Sequence, residues 1–365
     1  MQITTFSNRL LIFVICIAAI AACRKPTELP EPPTIGVLTV YNFNNVNYSA
    51  QKVRSRLLDT LILLARKPDK VDKAAHLAVL TSIFSNTKGQ YTSKVSLEQV
   101  TRPEDKTPIL TWFDSLASRK QNFEGNSVFI NHDGSYLPEL IEKKMLGSIF
   151  YDQAVNTHLR QFQTKDNIVV KKDSGTAMEH SWDEAFGYFG GSVSQGYYTK
   201  DSAILSKKGI DVFTFMTLAA KLDTDYLKFT SIPTNFTLDF YQGFINGRDA
   251  ISRNDVYAAL LEKDRIIENW DRLITASAVS DLEDLRGCFS LVDPYEVGIC
   301  KSKKWTAVVG TLDILQYNPS NRLGLLSQPA SAYSKTLEYL GNNSFSTNLE
   351  GIEEAKKILK STYGF

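Results

Sequence analysis

The segment from Ser174 to Gly191, SGTAMEHSWDEAFGYFGG, is the densest polar and aromatic stretch of the chain. Ser174 or Thr176 can cap a helix there, and Gly190-Gly191 can end it in the left-handed conformation. On that helix His180 and Glu184 stand four apart and His180 and Asp183 three apart, so the three side chains can share one face. Glu179 and Asp183 make a second pair four apart. A histidine among carboxylates is the donor set of a divalent metal, or of an imidazole held in one tautomer by an acid. With one imidazole and several carboxylates, the set favours iron(II), manganese or calcium over a thiol-seeking metal. The same residues have a structural reading too. Acids in a first helical turn complement the helix dipole, and a histidine between them can be a satisfied interior group.

One helix face carries too few ligands for a metal, so a second element must supply the rest. Candidates on the long preceding helix are Glu142, Asp152 and His158, and the spacing does not say which of them faces His180. Gly187, in mid-helix, implies close approach of a neighbouring helix, since glycine there otherwise costs about 0.5–1 kcal/mol. Arg248, in FINGRDAI, can pair with a buried acid or a ligand, or form a helix-end salt bridge. The usual catalytic signatures are missing: the chain has no HExxH, no GxSxG and no GxxxxGK. His132-Asp133-Gly134 reads as a turn. His76 reads as packing, and Trp112, Trp182, Trp270 and Trp305 are widely spread, so an aromatic carbohydrate platform stays open but without support.

Helical periodicity dominates from Tyr41 onward. SAQKVRSRLLDTLILLARK, VDKAAHLAVLTSIF, the run from Ala203 to Leu222, NDVYAALLEKDRIIENWDRLITASAVSDLEDL and GIEEAKKILKSTY all place apolar residues at three-to-four spacing. SYLPELIEKKMLGSIFYDQAVNTHLRQFQ, with Pro138 in the first turn, predicts one helix of roughly 25 residues. Strand signals are confined to YTSKV, NIVVKK and SVFI, and two polar loops are expected at about 86–108 and 119–135. The expected fold is all-α: two antiparallel helical bundles packed together, with few short strands. The expected helical domain spans 41–365, with sub-bundles at about 41–195 and 196–365.

The first residues set the expected location. Arg9 precedes an apolar run from Leu10 to Ala22 of about thirteen residues, short of the roughly 20 that span a bilayer, so residues 1–22 read as a signal peptide. Ile20-Ala21-Ala22-Cys23 resembles a bacterial lipobox, which implies cleavage before Cys23 and lipid attachment to its sulfur. Residues 23–40, with Pro26, Pro30, Pro32 and Pro33, form a proline-rich tether. The chain is thus expected to be exported and lipid-anchored in the bacterial cell envelope, with outer-membrane attachment and a periplasmic or surface face. The remaining cysteines, Cys288 and Cys300, can bridge in that oxidising setting or stay as separate buried thiols. Across 365 residues, 41 Lys and Arg balance 40 Asp and Glu. That balance removes the electrostatic case for a nucleic-acid partner.

YNFNNVNYSAQKVRSRLLDTL, SYLPELIEKKMLGSIFYDQAVNTHL, AMEHSWDEAFGYFG, FINGRDAI and ENWDRLITASAV occur in the order found in an imelysin-like lipoprotein family, domain of unknown function 4856, which the chain resembles over most of 40–318. The resemblance implies an all-helical, two-bundle extracytoplasmic domain and no established reaction. The related imelysins carry a GxHxxE motif and have been linked to iron uptake and to peptidase activity. Laid on this sequence, the histidine falls on His180, Met178 stands at the glycine position and Asp183 at the glutamate position, with Glu184 one residue later.

The leading functional expectation is therefore a lipid-anchored extracytoplasmic binding protein, more plainly a binder than an enzyme. It would handle iron or another divalent metal through His180, Asp183, Glu184 and Glu179, with the membrane and envelope or iron-uptake proteins as partners. A metal-free envelope interaction module is the alternative. A peptidase-like hydrolase, with an acid and a histidine in a cleft, is the third.

Overall fold

In the computed structural model, the described residues are 41–66, 73–87, 95–118, 129–191 and 213–365. The expected signal peptide and tether, with Cys23, lie outside them, as do YTSK of the first strand candidate and 203–212 of the fourth helical run.

Eleven α-helices account for most of the described residues, and they pack on one another as an all-α fold. They are α1 (Ser49–Ala65), α2 (Lys73–Ser85), α3 (Pro103–Ala117), α4 (Leu137–Met145), α5 (Ala177–Phe189), α6 (Phe215–Thr224), α7 (Phe236–Ser252), α8 (Val256–Gly287), α9 (Pro294–Ile314), α10 (Ala332–Leu340) and α11 (Leu349–Tyr363). None of the described helices is long and apolar enough to cross a membrane.

Local chemistry explains where these helices start. Asp255 accepts from the Ala258 N–H at 3.0 Å to open α8, and Asp293, followed by Pro294, accepts from Tyr295 at 2.8 Å to open α9. The first expected loop is shorter than its composition suggests. Glu98–Val100 form a 3₁₀ turn and α3 begins at Pro103, with Glu104 and Asp105 in its first turn. Pro108 is accommodated inside α3 although it cannot donate a backbone hydrogen bond.

The expected long helix runs on past α4 but changes its winding. Leu146–Tyr151 and Gln153–Leu159 are π-helical, and Arg160 N–H reaches back five residues to the Val155 carbonyl at 2.9 Å. Gly147 lets the widened turn lie against Tyr317, where a Cβ would come within 2.6 Å of that ring. NIVVKK makes no strand. Among the described residues its one β-bridge is the isolated pair Lys171–Gly175, no neighbouring extended segment offers a ladder, and Ile168, Val169 and Val170 are exposed.

Among the described residues one continuous apolar core joins side chains on both sides of 195. Its centre is aromatic. Phe189 of α5 stacks on Phe240 of α7 at 4.2 Å, and Trp270 of α8 meets Phe189, Phe215 and Phe240 edge-on at 5.2–5.5 Å. Trp182 donates its indole N–H to the Phe244 carbonyl at 2.9 Å and packs against the backbone of Gly247, where a Cβ would fall 1.9 Å from the indole. Trp182, Trp270 and Trp305 are thus core residues. Beyond Gly287, Cys288 and Cys300 form a disulfide with Cα atoms 5.6 Å apart, tying the end of α8 to α9.

Candidate functional site

Helix α5 is built by the cap its sequence contains. Thr176 Oγ1 accepts from the Glu179 N–H at 3.1 Å, and Glu179 Oε2 accepts from the Thr176 N–H at 2.9 Å, a reciprocal capping box. Gly190, at φ 89°, ends the helix in the left-handed conformation. Gly187 faces α1, where a Cβ would meet Tyr48 Cβ at 2.6 Å and Gln51 Cβ at 2.9 Å. This close approach presents Gln51 to the polar face of α5.

The four expected ligands on α5 divide into two groups. Asp183 and Glu179 turn toward α7. Arg248 donates from Nε to Asp183 Oδ1 at 3.0 Å and from Nη1 to Glu179 Oε1 at 2.5 Å, while Ser252 Oγ donates to Glu179 Oε1 at 2.9 Å. Tyr41 donates to Asp183 Oδ1 at 2.5 Å, and the Phe43 ring lies 5.2 Å from the guanidinium carbon. Asp183 and Arg248 are both fully buried. Burial pushes the Asp183 carboxyl up to about 7, although Arg248 and Tyr41 oppose the rise. Burial also acts on Glu179, but the Thr176 N–H and Arg248 outweigh it and hold its carboxyl below the usual range. Arg248 is therefore the partner of a buried acid. Both carboxylates on this side are committed to a cation of the protein itself, so they do not join His180 in a ligand set.

On the other side of α5, His180 and Glu184 meet His158. Glu184 Oε2 lies 3.5 Å from His158 Nδ1 and 3.8 Å from His180 Nε2, and Gln51 Nε2 donates to Glu184 Oε1 at 3.0 Å. Ser181 Oγ stands 3.5 Å from His158 Nδ1. Of the three candidates on the preceding helix, His158 alone faces this group: Glu142 pairs with Arg66 and Lys143, and Asp152 accepts from Asn156. Burial pulls the His158 imidazole down to about 4, with the Glu184 charge opposing, so the ring is neutral at pH 7. His180 Nδ1 is buried without a hydrogen-bond partner among the described residues.

These residues open onto a pocket of about 240 Å³ that Lys165 and Lys171 also line. Two imidazoles and a carboxylate are fitting donors for a first-row divalent cation. Among the described residues, however, no group of three or more His, Cys, Asp or Glu side chains is arranged to hold a metal ion. Holding one here requires the side chains to turn toward a common point and water to complete the shell. The sequence reading missed Gln51. Its signal was a buried polar position at four- and seven-residue spacing from Ser55 and Leu58, on the stripe that faces the core.

The comparison with known families falls on this part of the chain. Residues 114–293 match the family described as a domain of unknown function, DUF4856. The matched segment runs from within α3 to just before α9, so it includes His158, His180, Glu184 and the Asp183–Arg248 pair but not Cys300. No curated protein and no solved structure matches the chain.

Proposed function

We propose that this protein is a lipid-anchored extracytoplasmic binding protein of imelysin-like type that takes a divalent cation at His158, His180 and Glu184. The observation that carries the reading is the convergence of two imidazoles, from separate elements, on one carboxylate oxygen at 3.5 and 3.8 Å. Gln51 orients that carboxylate from α1, as outer hydrogen bonds do at metal sites. Export is supported by the Cys288–Cys300 disulfide, a bond that persists in oxidising compartments, and by the lipobox-like leader. The motif order shared with the imelysin-like lipoproteins supports the family relation. The departures at Met178 and Asp183 agree with a ligand set that uses Glu184 and His158 instead.

The test is calorimetric titration of the full chain in detergent with iron(II), manganese, calcium and zinc. One saturable equivalent is expected, weakened at least about tenfold in His158→Ala and in His180→Ala, and about tenfold in Gln51→Ala, which spares the ligands. Absence of binding, or binding that both histidine variants retain, overturns the metal reading. Anchoring is tested by palmitate labelling in a bacterial host. Incorporation that disappears in Cys23→Ser supports it, and an unlabelled wild-type chain refutes it.

A second reading, a metal-free interaction module, has one observation in its favour. Ile168, Val169 and Val170 are 85%, 61% and 64% exposed, directly beside Lys165 and Lys171 of the pocket. Three consecutive exposed β-branched residues suit contact with another surface.

A further inference from the structure

A second and larger cavity, of about 600 Å³, lies between the end of α1 and helices α4, α6, α8 and α9. That volume is typical of a site for a small molecule. Its walls carry an uneven set of charges. Three acids, Glu139, Glu142 and Asp281, face five cations.

Three of those cations are already paired. Arg66 binds Glu139 at 3.0 Å and also Glu142, Lys143 lies 3.2 Å from each of the same two acids, and Lys304 lies 3.9 Å from Asp281 and 2.7 Å from Asp284. Lys221 and Lys303 have no ion-pair partner among the described residues. Lys303 instead lies over the Tyr136 ring at 5.2 Å, and burial together with the nearby Arg66 pulls its ammonium below the usual lysine range. The cavity thus holds two positive charges beyond its acids. Leu146, Leu218 and Leu222 supply an apolar wall.

From this surplus we infer that the cavity binds a small organic anion, with its carboxylate or phosphate group toward Lys221, Lys303 and Arg66 and its carbon skeleton along the leucines. Lys221 is exposed at the cavity and Lys303 is half-buried; a cation with no internal partner is stabilised by an incoming oxyanion, and charge-assisted hydrogen bonds are the strong ones. The site is separate from the histidine pocket, so the inference stands whether or not a metal binds there. Arg66, Lys303 and Lys304 lie outside 114–293, so much of the cationic wall is supplied by parts of the chain beyond the matched domain.

The experiment titrates the full chain in detergent with citrate, succinate, glucose 6-phosphate and inorganic phosphate, with glucose as the neutral control, by calorimetry and thermal shift. Saturable binding of at least one anion is expected, weakened at least about tenfold in the double variant Lys221→Met/Lys303→Met. It should be unchanged in Lys357→Met, a lysine exposed on α11. Binding of citrate or succinate alone assigns a carboxylate ligand, and binding of the phosphates alone assigns a phosphorylated one. No saturable binding of any anion, or binding that survives the double substitution, overturns the inference.

Discussion

Replacing Arg248 by Met is expected to lower the unfolding free energy by about 3–5 kcal/mol at pH 8, among the largest effects of any single substitution here. The side chain volume is largely kept, so the loss is electrostatic in origin. Asp183, fully buried with one oxygen lacking a partner among the described residues, would keep Tyr41 as its one hydrogen-bond donor among them. Glu179 would lose its guanidinium as well but would keep its place in the capping box. An isolated buried carboxylate escapes its penalty by taking up a proton, so the defect should shrink as the pH falls toward 5. Urea denaturation at the two pH values measures this. Asp183→Asn combined with Arg248→Met should recover most of the loss, because both buried charges are then gone. An Arg248→Met protein as stable as wild type at pH 8 would show that the pair does not hold α5 to α7.

The second large effect concerns Asp271 of α8 and appears in the pH dependence of stability. Its carboxylate is buried and accepts a short hydrogen bond from Tyr151 and one from Asn318 at 2.8 Å, with no ion-pair partner among the described residues. Burial pushes its carboxyl up to about 7 from 3.8, more than those hydrogen bonds pull it down. The native chain therefore holds a proton between about pH 4 and 7 that the unfolded chain has released. Stability falls as the pH rises through that window and levels off above about 7. A shift of about three units corresponds to roughly 4 kcal/mol at full extent. In Asp271→Asn this contribution should vanish, so the variant should gain stability relative to wild type at pH 8 and lose that advantage near pH 4. Asp183 rises in the same direction and would leave part of the slope in place. An unchanged slope in Asp271→Asn would show that the group is ionised in the folded protein at all these pH values.

Much of this architecture could be read from short-range pattern. The α5 helix, with its Thr176 cap and its glycine stop, follows from local hydrogen-bonding chemistry that involves residues three apart. The close approach at Gly187 was legible for the same reason, since an unfavourable mid-helix residue needs a neighbour to explain it. The long amphipathic runs marked the helices because burial of one stripe is the dominant gain for such a segment. The NIVVKK run misled in the opposite direction. β-branched composition describes a fit to a sheet surface, and among the described residues no second strand provides one.

Which residues meet across the site was decided only by the tertiary structure. His180, Asp183 and Glu184 lie within one and a half turns of a helix, and their spacing allows them a common face. Packing against α7 instead draws Asp183 and Glu179 to Arg248, while the π-helical turns before Arg160 rotate His158 toward Glu184. Each π turn shifts the phase of every later side chain, and no three-to-four pattern encodes that shift. The anion cavity is a further step removed. Its unpaired lysines come from α6 and α9, and their lack of partners is a property of the whole charge arrangement, not of any segment. The sequence by itself thus determined the all-α class, the long amphipathic runs and the capped α5 helix, because these depend on neighbours a few residues away, whereas α3, α7 and α10 carried no such marked run. The division of the acids between a structural lock and an open pocket depends on contacts made across about 65 residues or more of chain, which exist only once the core has formed.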